Sequence, residues 1–101
     1  MSREALLYDY LMDLVEEHLG DLIEEVVEKY YGDYIDLEME YENVLRYITQ
    51  TLAGEHGEYE DPDRFRDMLK KIVKRKSVGK LIISYLVSKY IESFTEDDSD
   101  L

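Results

Sequence analysis

The sequence predicts an all-α protein, a single-domain bundle of about five helices. Apolar residues recur at helical spacing along most of the chain, and residues typical of helix starts and ends separate these segments. The chain has 101 residues, of which 45% are hydrophobic, which suits one domain with a modest core. We expect residues 1–94 to form the bundle and residues 95–101 to form a flexible acidic tail.

The first two helices are predicted on either side of Gly20. Ser2 is a suitable N-cap for a first helix over residues 2–19, and Gly20 provides a stop at its C-terminal end. Asp21 then starts a second helix, with Glu24 three residues later completing a capping box. This second helix is expected to end at the next glycine.

The third segment, residues 34–52, allows two interpretations. Ile35, Leu37, Met39 and Tyr41 alternate with acidic residues, which is typical of a strand. The apolar residues of the whole segment also fall within about 100° of one another on a helical wheel. A lone strand would leave its backbone groups without partners, and the sequence contains no second alternating run. We therefore predict a helix.

The last two predicted helices meet near Ser77. Asp61 and Pro62 are the residue types preferred at the N-cap and at the first helical position, so a fourth helix should run from Pro62 to about Lys76. Ser77 caps a fifth helix that runs to about Phe94. Because only one narrow line of this helix is polar, we expect the C-terminal helix to be buried among the others.

Charge is sorted along the chain. The net charge is −13, divided into −16 over residues 1–63, +7 over residues 64–80 and −4 over residues 81–101. Most basic residues of the middle segment should lie opposite the apolar stripe of the fourth helix, and the others in the turn that follows. They are Arg64, Arg66, Lys70, Lys71, Lys74, Arg75, Lys76 and Lys80. They could pair with acidic neighbouring helices, bind an acidic protein, or contact nucleic-acid phosphates as part of a helix-turn-helix-like pair.

The acidic remainder of the chain weighs against nucleic acid, because surplus negative charge repels phosphates. In composition the chain resembles the acidic helical antirestriction proteins with which phages mimic DNA. That resemblance implies a further alternative, an acidic DNA mimic that inhibits a nucleic-acid-binding protein. Net negative charge also favours solubility by itself.

The sequence offers little for catalysis. It contains no Cys, and His18 and His56 lack the Glu-x-x-His and His-Glu-x-x-His spacings of metal sites. Phosphate-binding glycine loops are also absent. We predict no enzyme activity, no catalytic residues, no cofactor and no functional metal site.

Location and habitat follow from similar observations. The chain starts without a secretory signal pattern and has no apolar run of membrane-spanning length, so we expect a cytoplasmic protein without membrane contact. The scarcity of Asn and Gln and the absence of Cys are typical of thermophilic proteins.

The function expected from these features is that of a small acidic helical protein-interaction module, such as an adaptor, an inhibitor or a subunit of a larger complex. Its partner would be another protein or a second copy of the chain. The residues expected at the interface, on the third helix, are Ile35, Met39 and Tyr47. The tyrosines expected in the core are Tyr30, Tyr34, Tyr41, Tyr85 and Tyr90.

Overall fold

Four α-helices make up nearly all of the described chain. The computed structural model describes residues 3–56 and 61–99, and within these ranges it contains no strand. The helices are α1 (Arg3–Tyr30), α2 (Leu37–His56), α3 (Pro62–Lys74) and α4 (Lys76–Ser99). The all-α class is confirmed, whereas the described chain forms four helices instead of about five.

The prediction of two helices on either side of Gly20 was wrong, because α1 continues through this residue and is 28 residues long. Leu19 and Ile23 are both buried, so one apolar stripe continues past the glycine and outweighs its local stop signal. A Cβ atom at Gly20 would lie 3.0 Å from the hydroxyl of Tyr41 in α2. The glycine therefore permits close packing of two helices and does not end one. Asp21, the expected second N-cap, is an exposed residue of α1, and Ser2 lies outside the described residues.

The segment that could have been a strand forms a turn followed by the start of α2. Asp36 precedes the helix, and its Oδ1 accepts a hydrogen bond from the N–H of Glu38 at 3.1 Å. Glu40 Oε2 in turn accepts a hydrogen bond from the N–H of Asp36 at 3.1 Å. These reciprocal bonds satisfy backbone donors at the helix start, as a capping box does. The helical prediction is confirmed from Leu37 onward.

The start of α3 follows its local sequence. Pro62 is the first helical residue, and Asp61 is the N-cap. The Oδ1 atom of Asp61 accepts a hydrogen bond from the N–H of Arg64 at 3.2 Å. This boundary was predictable because cap and proline chemistry act within one turn of helix.

The junction between α3 and α4 is a sharp elbow in which Arg75 is the only residue outside the two helices. It lies earlier than the predicted junction at Ser77. Gly79 allows the close approach there, since a Cβ atom on it would lie 2.9 Å from the backbone oxygen of Ile72 in α3. The same atom would lie 2.9 Å from Leu22 Cδ2 in α1. Any larger residue at position 79 would therefore push α3 away from α4 at the elbow and displace the Leu22 side chain of α1.

The core lies among all four helices, with α1 in contact with each of the others. α4 buries one face against it, formed by Ile83, Leu86, Val87 and Tyr90. The expected full burial of the C-terminal helix is not observed, because Leu81 is 71% exposed and Tyr85 is 58% exposed. Three neighbouring helices cover only part of a helix's circumference, so a helix that is apolar all round keeps an exposed apolar face.

α4 extends further than the sequence predicted. The helical backbone reaches Ser99, beyond the predicted end near Phe94. The division into a bundle over residues 1–94 and a flexible tail over residues 95–101 stays a prediction.

None of the helices in the described ranges is both long enough and apolar enough to span a bilayer.

Candidate interaction surface

The most prominent surface feature is an apolar line along the outer face of α4. Val78, Leu81 and Tyr85 are 40%, 71% and 58% exposed. Their spacing of three and then four residues places them on one side of the helix. We call these three residues the α4 stripe. Large apolar side chains grouped at a surface in this way mark an interaction site more often than single exposed ones do.

Two depressions border the α4 stripe. The α3–α4 groove, with a volume of about 560 Å³, is lined by Met68 and Ile72 of α3 on one side and by the α4 stripe on the other. The second depression, the α1–α4 groove, has a volume of about 500 Å³ and is lined by Tyr30 at the end of α1. Leu81 lines both grooves. Its side chain therefore forms a ridge between two depressions.

The α1–α4 groove is held in shape by hydrogen bonds along its wall. The hydroxyl of Tyr31 donates to the backbone oxygen of Ser84 at 3.1 Å and lies 3.0 Å from Ser84 Oγ. The rest of the Tyr31 side chain packs against the core. Because these bonds join the end of α1 to the middle of α4, the groove does not depend on loose surface side chains.

Two of the predicted basic residues are bound to a neighbouring acidic helix. Lys80 Nζ lies 3.1 Å from Glu25 Oε1 of α1, and Lys76 Nζ lies 3.9 Å from Glu25 Oε2. The hydrogen bond from Lys80, together with the charges of both lysines, lowers the pKa of Glu25. This is the pairing with acidic neighbours that the sequence left open as one alternative.

The remaining basic residues lie on α3 or at the elbow. Arg66 pairs with Asp63 at 2.7 Å within α3, and Arg64 is exposed one turn from the helix start. The exposed residues without a salt bridge to any acid in residues 3–56 and 61–99 are Lys70, Lys71, Lys74 and Arg75. We call these four residues the α3 basic edge. Lys71 also lines the α3–α4 groove, so the basic edge adjoins the α4 stripe.

The interface residues predicted on the third helix do not form one surface. Ile35 is only 4% exposed, because it lies in the turn before α2, where its N–H donates to Tyr31 O at 3.0 Å and its side chain joins the core. Tyr47 is half-buried, with its ring 5.6 Å from that of Tyr90. Met39, by contrast, is 80% exposed.

The tyrosines predicted in the core divide into two groups. Tyr90 is buried and Tyr41 is half-buried, whereas Tyr30, Tyr34 and Tyr85 are largely exposed. Helical spacing alone misplaced these three, because tyrosine suits either a core edge or a surface.

The signal that could have revealed the α4 stripe was the number of helices. A short chain cannot supply enough neighbours to cover a helix that is apolar on every side.

The exposed surface along the middle of α1 is acidic. Exposed carboxylates along α1 include Glu16, Glu17, Asp21, Glu24 and Glu28. Burial, assisted by the charges of Glu16 and Glu24, raises the pKa of Tyr41 to about 12. This side can repel anions or attract a basic partner.

The described surface combines apolar and charged groups. Within the described ranges, no three His, Cys, Asp or Glu side chains converge to hold a metal ion, and the side chain of His56 lies outside them. The arrangement places an apolar ridge, two grooves and a line of cations side by side. No protein-family model, curated protein or solved structure matches this chain.

Proposed function

We propose that the protein is a small interaction module that binds an amphipathic helix of a partner protein on the α4 stripe. The α3 basic edge selects a helix that carries acidic residues beside its apolar ones. The observation that carries the proposal is the exposure of Leu81, 71%, and of Tyr85, 58%, on a helix whose other face is in the core.

The α4 stripe supplies the binding energy. Full burial of a leucine-sized side chain contributes roughly 1.5–3 kcal/mol, and aromatic residues are enriched at the centres of protein interfaces. Leu81 projects between two grooves, so a partner helix laid along either groove would cover it on one side. A ridge flanked by grooves suits the packing of side-chain ridges between helices.

The α3 basic edge supplies orientation. Acidic residues outnumber basic ones by 25 to 12, yet the four cations of the α3 basic edge, of which Lys71 adjoins the α4 stripe, have no salt bridge within the described chain. A partner with acids on one flank would gain attraction at this edge and repulsion from the acidic face of α1. Such complementarity contributes more to orientation and specificity than to affinity.

Two alternatives from the sequence stay as rival proposals. Nucleic-acid binding would use the α3 basic edge, but it gives no role to the apolar stripe, and Lys76 and Lys80 are already bound to Glu25. A DNA mimic would use the acidic face of α1 and likewise leaves the stripe without a role. Protein docking is the proposal that uses both features of the α3–α4 side.

The test is peptide binding followed by NMR on the isotope-labelled full chain. The probe is a designed amphipathic peptide of about 20 residues, long enough to form a helix, with leucines on one face and glutamates beside them. A matched peptide carries lysines in place of the glutamates. We expect the acidic peptide to shift the amide signals of residues 78–85 and 68–72, and to bind more tightly than the basic one.

Two variants make the result specific. Leu81→Glu should abolish the shifts, whereas Met39→Glu, at a residue 80% exposed outside the α4 stripe, should leave them intact. Failure of both peptides to bind, or shifts centred on α1 and α2, would overturn the proposal. Tighter binding of the basic peptide would overturn the role of the α3 basic edge.

A further inference from the structure

We infer that the helix received by the α4 stripe is α4 of a second copy, so that the protein forms a two-fold symmetric, antiparallel dimer. This inference rests on the proposed function, because it names the partner of the same surface.

The shape of the α4 stripe is self-complementary. Leu81 is a ridge between two grooves, and Tyr85 lines the larger of them. In an antiparallel pair with the symmetry axis between these two residues, Leu81 of each copy lies against Tyr85 of the other. A two-fold interface needs one patch that fits itself, and a ridge beside a groove meets that condition.

Charge selects the antiparallel direction. The chain is basic at the elbow that precedes α4, with Lys74 and Arg75 exposed there, and acidic from Glu92 onward. With Leu81 opposite Tyr85, the elbow at the start of one α4 faces the end of the other α4 that carries Glu92, so Lys74 and Arg75 are the cations nearest to that carboxylate. A parallel pair would instead bring like charges together. The opposed helix dipoles also favour the antiparallel pair.

Glu92 lies on the acidic end of α4. Its carboxylate lies 3.2 Å from Lys89 Nζ within α4, and its side chain remains 54% exposed. The exposed cations of the elbow are the complementary group. The second copy therefore meets the proposed description of the partner, an apolar helix with acidic residues, without any further component.

The first experiment measures mass against concentration by sedimentation equilibrium at about 0.15 M salt, where long-range repulsion between acidic copies is screened beyond about 8 Å. The expected result is a rise from 12.0 kDa toward twice that mass. Leu81→Glu should weaken dimerisation at least tenfold, whereas the exposed control Met39→Glu should leave it unchanged. Circular dichroism should show both variants folded, since both side chains are largely exposed.

The second experiment is a charge exchange. Lys74→Glu and Glu92→Lys should each weaken the dimer, and an equimolar mixture of the two variants should restore it, because every contact again joins opposite charges. Glu17→Lys, at an exposed acid of α1, is the control for a change of net charge. If the mixture dimerises no more tightly than the separate variants, the antiparallel arrangement is overturned.

The outcomes separate this inference from the proposed function. A wild-type chain that stays monomeric while the acidic peptide still binds the α4 stripe overturns the dimer alone. A monomer that binds no peptide overturns both. A dimer that survives Leu81→Glu shows that the copies meet through another surface, and it also overturns the inference.

Discussion

α1 and α4 are both long helices that contact every other helix, yet their exposed faces differ. Along its middle, α1 presents carboxylates to solvent, among them Glu16, Glu17 and Glu24, and its exposed apolar residues, such as Leu6 and Tyr30, lie near its ends. α4 presents Leu81 and Tyr85. The inner face of each helix supplies the apolar burial that stabilises the fold. The apolar residues on the outer face of α4 therefore add nothing to the stability of the isolated chain. The difference between the two helices is what supports the proposal that the outer face of α4 serves binding.

The largest expected effect separates the two faces of α4. Ile83 is fully buried, so Ile83→Ala should lower the free energy of unfolding by about 2–5 kcal/mol. Leu81→Ala, two residues away and 71% exposed, should change it by less than about 0.5 kcal/mol at concentrations where the chain is monomeric. Urea unfolding followed by circular dichroism measures both. Equal losses would show that the outer face belongs to the core.

The next effect concerns the place where α1, α3 and α4 meet. Gly79→Ala should cost roughly 1–3 kcal/mol, because its Cβ would clash with backbone and side-chain atoms. Gly54→Ala is the control, since a Cβ there meets nothing within 4 Å. It should stabilise α2 by up to about 1 kcal/mol through helix propensity. A harmless Gly79→Ala would contradict the tight elbow.

A smaller effect tests the acidic face of α1 at high pH. The pKa of Tyr41 is raised from 10.0 to about 12, chiefly by burial. A raised folded-state pKa gives stability that is present below the unfolded value and is lost as the pH rises toward the folded value. Stability should therefore fall between about pH 10 and pH 12, and less so in Tyr41→Phe. Tyr10→Phe is the control, and an identical decline in Tyr41→Phe would refute the burial of this hydroxyl.

The smallest effect concerns the ion pairs that Glu25 of α1 forms with Lys76 and Lys80 of α4. The lowered pKa of Glu25 gives stability that is present above its ordinary value of 4.5 and is lost as the pH falls through the folded-state value. Glu25→Gln should therefore be less stable than wild type near neutral pH, and the difference should vanish in acid. High salt should also shrink it, because the pair is solvent-exposed. A difference independent of pH would point to packing instead of charge.

Local chemistry was the predictable part of this fold. Asp61 and Pro62 mark a helix start wherever they occur together before an apolar periodic segment, and α3 begins there. The helical nature of residues 37–52 followed from a stripe longer than the alternation. The basic residues of α3 were predictable as surface residues, since their positions away from its buried face follow from helical spacing, whereas Lys76 and Lys80 lie on α4.

Tertiary contacts were the part that the sequence concealed. Gly20 resembles a helix stop, but the hydroxyl of Tyr41 occupies the space where a side chain would stand. Ile35 was expected at an interface on the third helix, but it lies in the turn before α2 and its side chain is in the core. The exposure of Tyr85 depends on how many helices surround α4, which no pattern within α4 records.

The one-residue elbow at Arg75 has a consequence for binding kinetics. Because α3 and α4 are joined without a flexible linker, the angle between the cations of one helix and the apolar residues of the other is fixed before any partner arrives. A preorganised surface loses little conformational entropy on association. Lengthening the elbow with inserted glycines should therefore slow productive docking. The cations of α3 and the apolar residues of α4 could each still contact a partner. In the proposed docking, this single residue sets how often an encounter leads to a complex.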